Sequence, residues 1–425
     1  MTAFERLAVY RRLVESNKAC VPPFSFGECK DGRVRDEVFE GWKHAREATR
    51  LRGGRSIYVH VPFCRERRCS FCMYSSSVDY NEIDLKRYRD RILREFGTWQ
   101  EMFSEPIRNF YVGGGTPSVY SASQLAVLLS PFSRLEVEPL GERTCEMSPS
   151  TATTDHIAAI AKCGFNRISL GVQSFDPKVT RAVNREFSEK AHVRQLCEYA
   201  RELSFVDVNL DFMLGLPFVA EDNLRDAVQA VRECGALSAS FYYWRQATVP
   251  RRRLEWELAI VCDEMDKCGW EFVSGAQNTE HHLFFSPERR KDTFRFVTSS
   301  NCIDNEQVIG LGTHAHGFRP SISYSCDSEN TYKMWCMSQE MQLKMAAANI
   351  LYHHDNVIDK RSFASAFGLE FSDLFRDEIS ALHGMNMVEE DETEFRLVCK
   401  DNIESIAAQK FFWDASYLKR QYGVG

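Results

Sequence analysis

The chain has 425 residues, of which 44% are hydrophobic and 27% charged, and its formal net charge is −7. These values are typical of a globular protein and predict one large domain with a smaller one. The acidic balance argues against a nucleic-acid partner and against binding to an anionic membrane surface. The N-terminal residues are charged throughout and no apolar run could span a bilayer, so we expect neither signal peptide nor membrane segment.

Cysteine usage points to a reducing compartment. Fifteen cysteines occur in the chain, and twelve of them are scattered singly. Without a secretion signal, this usage predicts free thiols and a cytoplasmic protein, in which the scattered cysteines are buried or idle. The other three, Cys64, Cys69 and Cys72, cluster in the stretch YVHVPFCRERRCSFC (58–72).

Predicted elements alternate along most of the chain. Apolar spacing indicates helices at 5–16 and 35–50, and SIYVHV (56–61) is a predicted strand. Further strands are predicted at 107–112, 143–147, 167–172, 206–214 and 238–244, and helices at 121–131, 153–162, 176–203, 222–234 and 252–268. Strands alternating with helices predict an α/β fold whose parallel sheet is covered by helices. Six such units favour a partial (β/α)6 barrel over a doubly wound sheet.

The last hundred residues have a different texture. From about residue 340 the pattern indicates short helices, followed by a hairpin at 386–398. We interpret this part as a small helical domain with winged-helix character. The predicted division is therefore an N-terminal helical extension at 1–55, the barrel core with its extension at 56–320, and the small domain at 321–425.

Residues with chemical potential follow the predicted strands. The cysteine loop follows the first strand, GGGTP (113–117) the second, and Glu146 ends the third. Gln173 follows the fourth strand, and Asp211 lies late in the fifth. Because barrel enzymes carry their chemistry at the carboxyl ends of strands, these placements predict one shared site.

The cysteine spacing alone leaves the bound group open. A structural zinc site needs four ligands, for which His60 is a candidate, yet no second Cys-x-x-Cys pair occurs. A disulfide would leave the third thiol unpaired and is disfavoured in a reducing compartment. A [4Fe–4S] cluster held by three thiolates leaves one iron open to a substrate or cofactor.

Seven motifs appear in one order: YVHVPFC…CSFC, YVGGGTPS, EMSP, SLGVQSFD, NR, DFMLGLP and GLGTHAHGF. Together they resemble the radical S-adenosylmethionine (SAM) enzymes related to oxygen-independent coproporphyrinogen III oxidase. The resemblance covers residues 56–320, and the C-terminal part is compatible with the small helical domain of that family.

The resemblance implies the cofactors and the chemistry. Cys64, Cys69 and Cys72 would ligate three irons of a [4Fe–4S] cluster, and SAM would chelate the fourth. An electron from a flavodoxin- or ferredoxin-type donor would cleave SAM and give a 5′-deoxyadenosyl radical, which takes hydrogen from a small-molecule substrate. Members of the family bind a second SAM close to the first.

The resemblance also assigns roles to polar residues. Glu146 suits the ammonium of SAM, and Arg185 suits its carboxylate as a fork of donors. Asp211 suits the ribose hydroxyls, and Gln173 can donate and accept at the sugar or the amino acid. Without the resemblance, Glu146 and Asp211 would be read as solvated strand ends and Arg185 as a surface charge.

Smaller and aromatic residues complete the predicted site. Gly113, Gly114 and Gly115 would let the backbone approach SAM closely, and Thr116 would add a hydroxyl there. Tyr58 and Phe71 match family positions that contact the SAM molecules. The stretch FYYWRQ (241–246) either walls a pocket for an aromatic compound or packs in the core. His314 and His316, in GTHAHG, are expected to be structural.

The chain also departs from the family pattern. Four residues (RERR, 65–68) separate the first two cysteines where three are usual, and FVAED (218–222) replaces a glycine–glutamine turn. The stretch SSNCIDNEQ (299–307) and a longer polar segment, 276–298, replace substrate-side motifs. We interpret these changes as retained SAM chemistry acting on a different substrate.

That combination resembles class C radical SAM methyltransferases and the related cyclopropanases. The leading hypothesis is transfer of a one-carbon unit from the second SAM to an sp² carbon of an aromatic or polyunsaturated natural product. The alternatives are a porphyrin-related enzyme, either a coproporphyrinogen III dehydrogenase or a heme-modifying methyltransferase, and a non-enzymatic heme chaperone. His281 and His282 are the candidate heme ligands for that last alternative.

Overall fold

The structure is a computed structural model that describes residues 2–16, 25–45, 55–65, 67–103, 106–244, 249–274, 282–286, 307–328, 330–353 and 356–424. The segments 276–281 and 287–306 and Glu66 of the RERR loop, on which departures from the family pattern were noted, lie outside these ranges. So does His281, one of the two candidate heme ligands.

Strands make up one large sheet and one small sheet. The strands are β1 (Glu28–Arg33), β2 (Arg55–Val61), β3 (Ile107–Gly114), β4 (Val137–Met147), β5 (Arg167–Gln173), β6 (Asp207–Leu214), β7 (Ser238–Tyr243), β8 (Glu271–Ser274), β9 (His282–Ser286), β10 (Gln307–Leu311), β11 (His316–Arg319), β12 (Ile322–Cys326), β13 (Tyr332–Cys336), β14 (Val357–Asp359), β15 (Val388–Glu390) and β16 (Glu394–Leu397).

Helices follow most of these strands. The helices are α1 (Ala3–Glu15), α2 (Arg35–Lys43), α3 (Glu82–Trp99), α4 (Ala122–Leu129), α5 (Thr154–Lys162), α6 (Pro177–Ala182), α7 (Lys190–Glu202), α8 (Glu221–Glu233), α9 (Arg251–Lys267), α10 (Gln339–His353), α11 (Lys360–Phe367), α12 (Phe371–Leu374), α13 (Arg376–His383), α14 (Asn402–Gln409) and α15 (Ala415–Tyr422).

The large sheet contains the predicted barrel strands. Its order is β1-β13-β12-β11-β10-β2-β3-β4-β5-β6-β7-β9-β8, and the run from β10 to β7 is parallel. The six predicted strands are β2 to β7, in sequence order, so the prediction of six parallel strand–helix units is confirmed. Within the described residues the sheet ends at β1 and β8 without closing, which is the partial barrel that was expected.

Local sequence explains why the strands and helices begin where they do. In β2, Ile57, Val59 and Val61 are fully buried, as expected for a strand covered by helices. Asn81 caps α3 by accepting hydrogen bonds from the first turn, and Ser121 and Thr153 cap α4 and α5 in the same way. A side-chain oxygen at this position satisfies backbone N–H groups that the helix itself leaves unpaired.

A second core lies in the C-terminal part. The order of its small sheet is β14-β16-β15, and β15 and β16 form the predicted hairpin. Buried phenylalanines such as Phe363, Phe371 and Phe412 fill this core. Leu7 and Tyr10 of α1 are buried in the same core, a contact that the sequence analysis did not predict.

These contacts bear on the proposed domain boundaries. α1 packs with the C-terminal core, while β1 pairs with β13 and so extends the large sheet. The large sheet continues to Cys336, beyond the proposed boundary at residue 320. The three-part division stays a proposal, and the packing favours placing α1 with the C-terminal domain and the boundary after β13. None of the described helices is long and apolar enough to cross a bilayer.

Candidate active site

A cavity of about 270 Å³ lies at the carboxyl ends of the parallel strands. Eleven of the thirteen predicted site residues contribute to its wall. They are Cys64, Cys69, Phe71, Cys72, Gly114, Gly115, Thr116, Glu146, Gln173, Arg185 and Asp211. The carboxyl ends of the parallel strands therefore bring into one cavity residues that are up to 147 positions apart in sequence, from Cys64 to Asp211.

The cysteine loop is fixed to the end of β2 by its backbone. Cys64 N–H donates to the Ser77 carbonyl at 2.9 Å, and Ser77 N–H donates back to the Pro62 carbonyl at 2.7 Å. Within the loop, Cys72 N–H donates to the Cys69 carbonyl at 3.1 Å. The three thiols are free and partly exposed, and they face a shared cavity.

These thiols fit a cluster better than a single zinc ion. Among the described residues, no group of three histidine, cysteine or acidic side chains could hold a single metal ion. Each thiolate on an iron–sulfur cluster can instead bind a different iron atom, so the sulfurs need not meet at one point. Burial raises the pKa values of Cys69 and Cys72, and the deprotonation that a metal requires is therefore coupled to metal binding.

His60 is not a fourth ligand in this arrangement. Its Nδ1 hydrogen-bonds the Tyr58 hydroxyl at 2.9 Å, and its Nε2 hydrogen-bonds the Ser75 carbonyl at 3.2 Å. Burial lowers the pKa of His60 to about 4, so the ring is neutral. His60 therefore packs beside the cysteine loop and connects β2 to the end of that loop.

The glycine run at the end of β3 is required by packing within the protein. A Cβ atom on Gly115 would lie within 3.0 Å of the Phe63 and Val61 carbonyl oxygens. A Cβ atom on Gly113 would meet the Glu146 carboxylate, and one on Gly114 would meet the His60 ring. Protein atoms thus already occupy the space beside each glycine, and the close approach of SAM to these glycines stays a prediction.

Glu146 is one of two carboxylates on the cavity wall. Its carboxylate accepts a hydrogen bond from the Tyr111 hydroxyl at 2.6 Å and one from Gly114 N–H at 3.1 Å. Burial raises the pKa of Glu146 to about 7, and the nearby charge of Asp211 adds to the rise. A carboxyl group in this state gains its negative charge readily when a cation binds beside it.

Asp211 is the second carboxylate on the wall. It accepts hydrogen bonds from the Ser169 hydroxyl and the Asn209 side-chain amide, both at 2.7 Å. Burial raises the pKa of Asp211 to about 6. Because those two donors fix its orientation, its remaining acceptor capacity can be directed at ligand hydroxyl groups.

Three cavity residues have buried polar atoms for which the structure shows no hydrogen-bond partner. They are Gln173 Oε1, Arg185 Nε and Ser76 Oγ. Arg185 is held in place by bonds to the Ser148 hydroxyl at 3.0 Å and to the Gly171 carbonyl. Since buried polar groups are normally paired, these atoms indicate room for a polar ligand and fit SAM.

Two predicted residues, Tyr58 and Gly113, lie behind the wall. Tyr58 stands beside Tyr111, with ring centroids 6.2 Å apart, and bonds His60. Phe71 lines the cavity and also packs in a small apolar cluster with Val179 and Leu216. Tyr58 and Gly113 therefore lie on the protein side of the cavity wall and do not line the cavity itself.

Sequence reasoning missed several wall residues. These are Arg68, Met73, Tyr74, Ser76, Met147, Ser148, Ser169, Gly171 and Met213. Strand alternation could have identified some of them, because Ser169, Gly171 and Gln173 lie two positions apart on β5. Of the aromatic stretch, Tyr242 and Tyr243 line the cavity, while Phe241 is buried in the core.

The two histidines of GTHAHG lie in the turn and strand that follow β10, away from the cavity. His314 has φ +66° and its N–H donates to the Cys326 carbonyl at 2.6 Å, which shapes the turn between β10 and β11. His316 lies opposite Ser325 in β12. Neither contributes to the cavity wall.

Known proteins resemble the chain in sequence and in fold. The Radical SAM superfamily profile matches residues 58–231. The chain is 24% identical to heme chaperone HemW of Lactococcus lactis over 81% of this chain and 93% of that protein. It is 32% identical to the oxygen-independent coproporphyrinogen III oxidase of Bradyrhizobium diazoefficiens, over 45% of this chain and 43% of that enzyme.

The match to the Bradyrhizobium oxidase therefore covers less than half the length of that enzyme. Coproporphyrinogen III oxidase (HemN) from Escherichia coli has a similar structure, with a TM-score of 0.71 and 18% identity over 90% of this chain and 94% of that one. At this identity the likeness concerns the fold. Residues 58–231 are therefore similar to the Radical SAM superfamily, whose members use a [4Fe–4S] cluster and SAM, and the chain shares the fold of HemN.

Proposed function

We propose that the chain cleaves SAM in this cavity and acts on a tetrapyrrole of the porphyrinogen or heme class. The observation that carries the proposal is the convergence of three free cysteines with Glu146 and Arg185 on one wall. The substrate class rests on the relatives, which are named as a coproporphyrinogen III oxidase and a heme chaperone. A flavodoxin- or ferredoxin-type electron donor and a cytoplasmic location belong to the same proposal.

The cysteine loop would hold the cluster through Cys64, Cys69 and Cys72. A reduced cluster held there would supply the one-electron chemistry for cleaving SAM and for removing hydrogen from carbon. The Thr116 hydroxyl donates to the Cys64 sulfur at 3.7 Å, and the Arg185 guanidinium lies 4.0 Å from the Cys69 sulfur. These donors stabilise thiolates, since hydrogen bonds and positive charge favour the ionised form.

The polar wall would bind and orient SAM. Glu146 would take the ammonium group, and its pKa near 7 would fall as the cation approaches. Arg185 would take the carboxylate with guanidinium donors that its bonds to Ser148 and Gly171 hold in place. Asp211, held by Ser169 and Asn209, would accept from the ribose hydroxyls.

The rest of the wall suits an apolar ring system with acidic substituents. Met73, Tyr74, Tyr242 and Tyr243 supply apolar and aromatic surface. Arg68 is exposed and also lines the cavity, where it can pair with a carboxylate. Apolar rings carrying carboxylate side chains are the chemistry of porphyrinogens and hemes.

A second candidate function is methyl or methylene transfer from a second SAM to an sp² carbon. The sequence departures support it: a four-residue gap between Cys64 and Cys69, and a substrate side that lacks the usual motifs at 299–307. The apolar wall would equally suit an aromatic or polyunsaturated compound. The named relatives favour the tetrapyrrole proposal instead.

One anaerobic experiment separates the candidates. The cluster is reconstituted, reduced with dithionite and mixed with SAM labelled on its methyl group, with heme or coproporphyrinogen III present or absent. The products to quantify are 5′-deoxyadenosine, S-adenosylhomocysteine and labelled or decarboxylated tetrapyrrole. Heme binding is measured in parallel by optical titration of the same preparation.

Each outcome has a clear meaning. Tetrapyrrole-dependent 5′-deoxyadenosine with decarboxylation supports an oxidase, and labelled tetrapyrrole supports a heme-modifying methyltransferase. SAM cleavage without tetrapyrrole turnover or tetrapyrrole binding contradicts the first proposal, and S-adenosylhomocysteine in that case favours the second. Tight heme binding without SAM cleavage favours a chaperone and contradicts the enzymatic part.

A further inference from the structure

The four-residue loop between Cys64 and Cys69 carries a concentration of positive charge. Its three arginines and one glutamate give the segment 65–68 a formal charge of +2, in a chain whose net charge is −7. Arg65, Arg67 and Arg68 are all exposed. Positive charge is thus gathered beside the proposed cluster ligands, although the molecule as a whole is acidic.

Two of these arginines are fixed in place by backbone acceptors. Arg65 Nη1 donates to the Ser150 carbonyl at 3.0 Å, and Arg68 Nη2 donates to the Tyr74 carbonyl at 2.9 Å. Both guanidinium groups stay accessible to solvent while they make these contacts. The loop therefore presents its charge from a defined position.

Helix α6 extends the positive surface. Ser70 N–H, between Cys69 and Cys72, donates to the Val183 carbonyl just after α6 at 3.0 Å. On the same short helix, Val179 is buried while Lys178 and Arg181 are exposed. We call the exposed surface formed by Arg65, Arg67, Arg68, Lys178 and Arg181 the cluster face.

The cluster face also contains exposed apolar side chains and a few acidic ones. Met73 and Tyr74 follow the last cysteine and are 55% and 54% exposed. Glu82 and Glu186 lie close enough to Tyr80 to act on its pKa, as Arg65 does, so two carboxylates border the face. An apolar patch with a charged border is typical of a protein interface.

We propose that the cluster face docks an acidic one-electron carrier protein. In this step the carrier is oxidised by one electron and the cluster is reduced by one, with no bond formed and no proton moved. The inference rests on the proposed function, because it requires the cluster at Cys64, Cys69 and Cys72. It assigns a docking surface to the electron donor that was proposed there. Complementary charge steers such short-lived encounters and raises their rate of association.

The test uses the full-length holoenzyme without SAM or tetrapyrrole. A reduced acidic flavodoxin is mixed with it anaerobically, and loss of cluster absorbance is followed at low and high ionic strength. The variants are Arg67→Glu and Arg181→Glu, which reverse a charge without touching the cavity wall. The matched control is Arg361→Glu, an exposed arginine in the first turn of α11, where a carboxylate is tolerated.

We expect a double variant that combines Arg67→Glu with Arg181→Glu to slow cluster reduction by the flavodoxin about ten-fold at low ionic strength. The difference should shrink at high ionic strength, because salt screens exposed charges. Iron content and the final extent of reduction by dithionite should match those of the wild type, and so should the flavodoxin rate of the Arg361→Glu control.

Wild-type rates in both single variants, or equal slowing in the control, would overturn the docking proposal. If the Arg67→Glu variant loses its cluster, the Arg181→Glu variant alone tests the proposal, since Arg181 lies outside the cysteine loop. Because SAM and tetrapyrrole are absent, failure of the proposed function leaves this result unaffected. Absence of iron from the wild type would instead count against the cluster itself.

Discussion

At the scale of single residues, two carboxyl groups in the cavity share an unusual environment. Burial raises the pKa of Glu146 to about 7 and that of Asp211 to about 6. Each is also bonded by donors, the Tyr111 hydroxyl for Glu146 and the Ser169 hydroxyl for Asp211, which oppose the rise. The result is a site where a bound cation changes the protonation state of the protein.

We predict that Glu146→Gln removes a pH-dependent part of SAM binding. In the wild type, affinity should rise as the pH increases through about 7, because Glu146 becomes ionised and attracts the ammonium of SAM. The glutamine variant should bind more weakly at alkaline pH and lack that rise. Isothermal titration calorimetry over a pH series measures both proteins, and the titration of SAM itself cancels in their difference.

The control is Glu138→Gln, at the opposite end of β4, where Glu138 pairs with Arg108. An unchanged pH profile in Glu146→Gln would contradict the assigned role. The raised pKa of Glu146 also affects stability in the absence of ligand. The pKa of this carboxyl group is about 7 in the folded state and 4.5 in the unfolded state, so the folded state binds the proton more tightly. The contribution of Glu146 to stability is therefore lost as the pH rises from 4.5 through about 7.

We predict that Cys69→Ala abolishes cluster retention. Removing one of three thiolates leaves two protein ligands, which is too few to hold the cluster against loss to solution. The measurements are iron and sulfide content and absorbance after anaerobic reconstitution, followed by 5′-deoxyadenosine formation. Cys336→Ala, which alters an exposed thiol on β13, is the matched control. SAM cleavage retained in Cys69→Ala would mean that other thiols hold the cluster.

At the scale of elements, the ends of β2 and β3 are joined by close backbone contacts. Gly115 N–H donates to the Val61 carbonyl and Thr116 N–H to the Phe63 carbonyl, both at 2.7 Å. These bonds position the strand end from which the cysteine loop begins. The glycine motif therefore supports the cluster loop mechanically.

We predict that Gly115→Ala destabilises the protein by about 1–3 kcal/mol, because its Cβ would meet two backbone carbonyl oxygens that cannot move freely. Chemical denaturation of the cluster-free protein under anaerobic conditions measures the change. Gly97→Ala is the matched control, since its Cβ would meet nothing within 4 Å on α3. Alanine there should stabilise by about 0.5–1 kcal/mol. Equal stability of Gly115→Ala and the wild type would refute the packing argument.

The GLGTH motif has a comparable role at the start of the antiparallel extension. Gly312 has φ +96°, and its N–H donates to buried Glu95 of α3 at 2.7 Å. Arg91 pairs with Glu95 at 2.7 Å and also bonds the Thr313 hydroxyl. Both charges are buried, so each depends on the other for compensation. The motif thus fastens the turn after β10 to α3.

At the scale of the whole molecule, the N-terminal helix connects to the C-terminal core. Tyr10 is 1% exposed, and its ring meets Phe411 edge to face at a centroid distance of 5.6 Å. Arg420 of α15 donates to the Phe26 carbonyl at 2.8 Å, which adds a second contact between the two ends of the chain. The C-terminal core therefore includes both ends of the described chain.

We predict that Tyr10→Ala lowers the free energy of unfolding by about 3–5 kcal/mol, as expected for deleting a large buried ring. Thermal and urea unfolding monitored by circular dichroism provide the measurement. Phe4→Ala on the same helix is the control, because Phe4 is 66% exposed and its removal should change stability by less than about 0.5 kcal/mol. A small effect of Tyr10→Ala would show that α1 is dispensable to that core.

Sequence reasoning predicted the barrel strands well because their signals are local. Continuous apolar runs mark β2 to β7, and Thr153 caps the predicted helix α5, whereas α3, which Asn81 caps, was not predicted. The antiparallel strands β8, β9 and β11 to β13 were not separated, because short strands give weak periodicity. The partner of α1 was also missed, since an amphipathic pattern shows that a face is buried and not what covers it.

The sequence by itself determined the positions of the barrel strands along the chain, the spacing of Cys64, Cys69 and Cys72, and the polar residues at successive strand ends. These follow from short-range patterns and from the geometry common to parallel sheets. Only the tertiary structure decided that Glu146 and Asp211 share one cavity with raised pKa values, that Tyr242 faces this cavity while Phe241 is buried, and that α1 packs on the C-terminal core. The physical reason is that burial, electrostatic coupling and packing partners depend on residues brought together from distant parts of the chain.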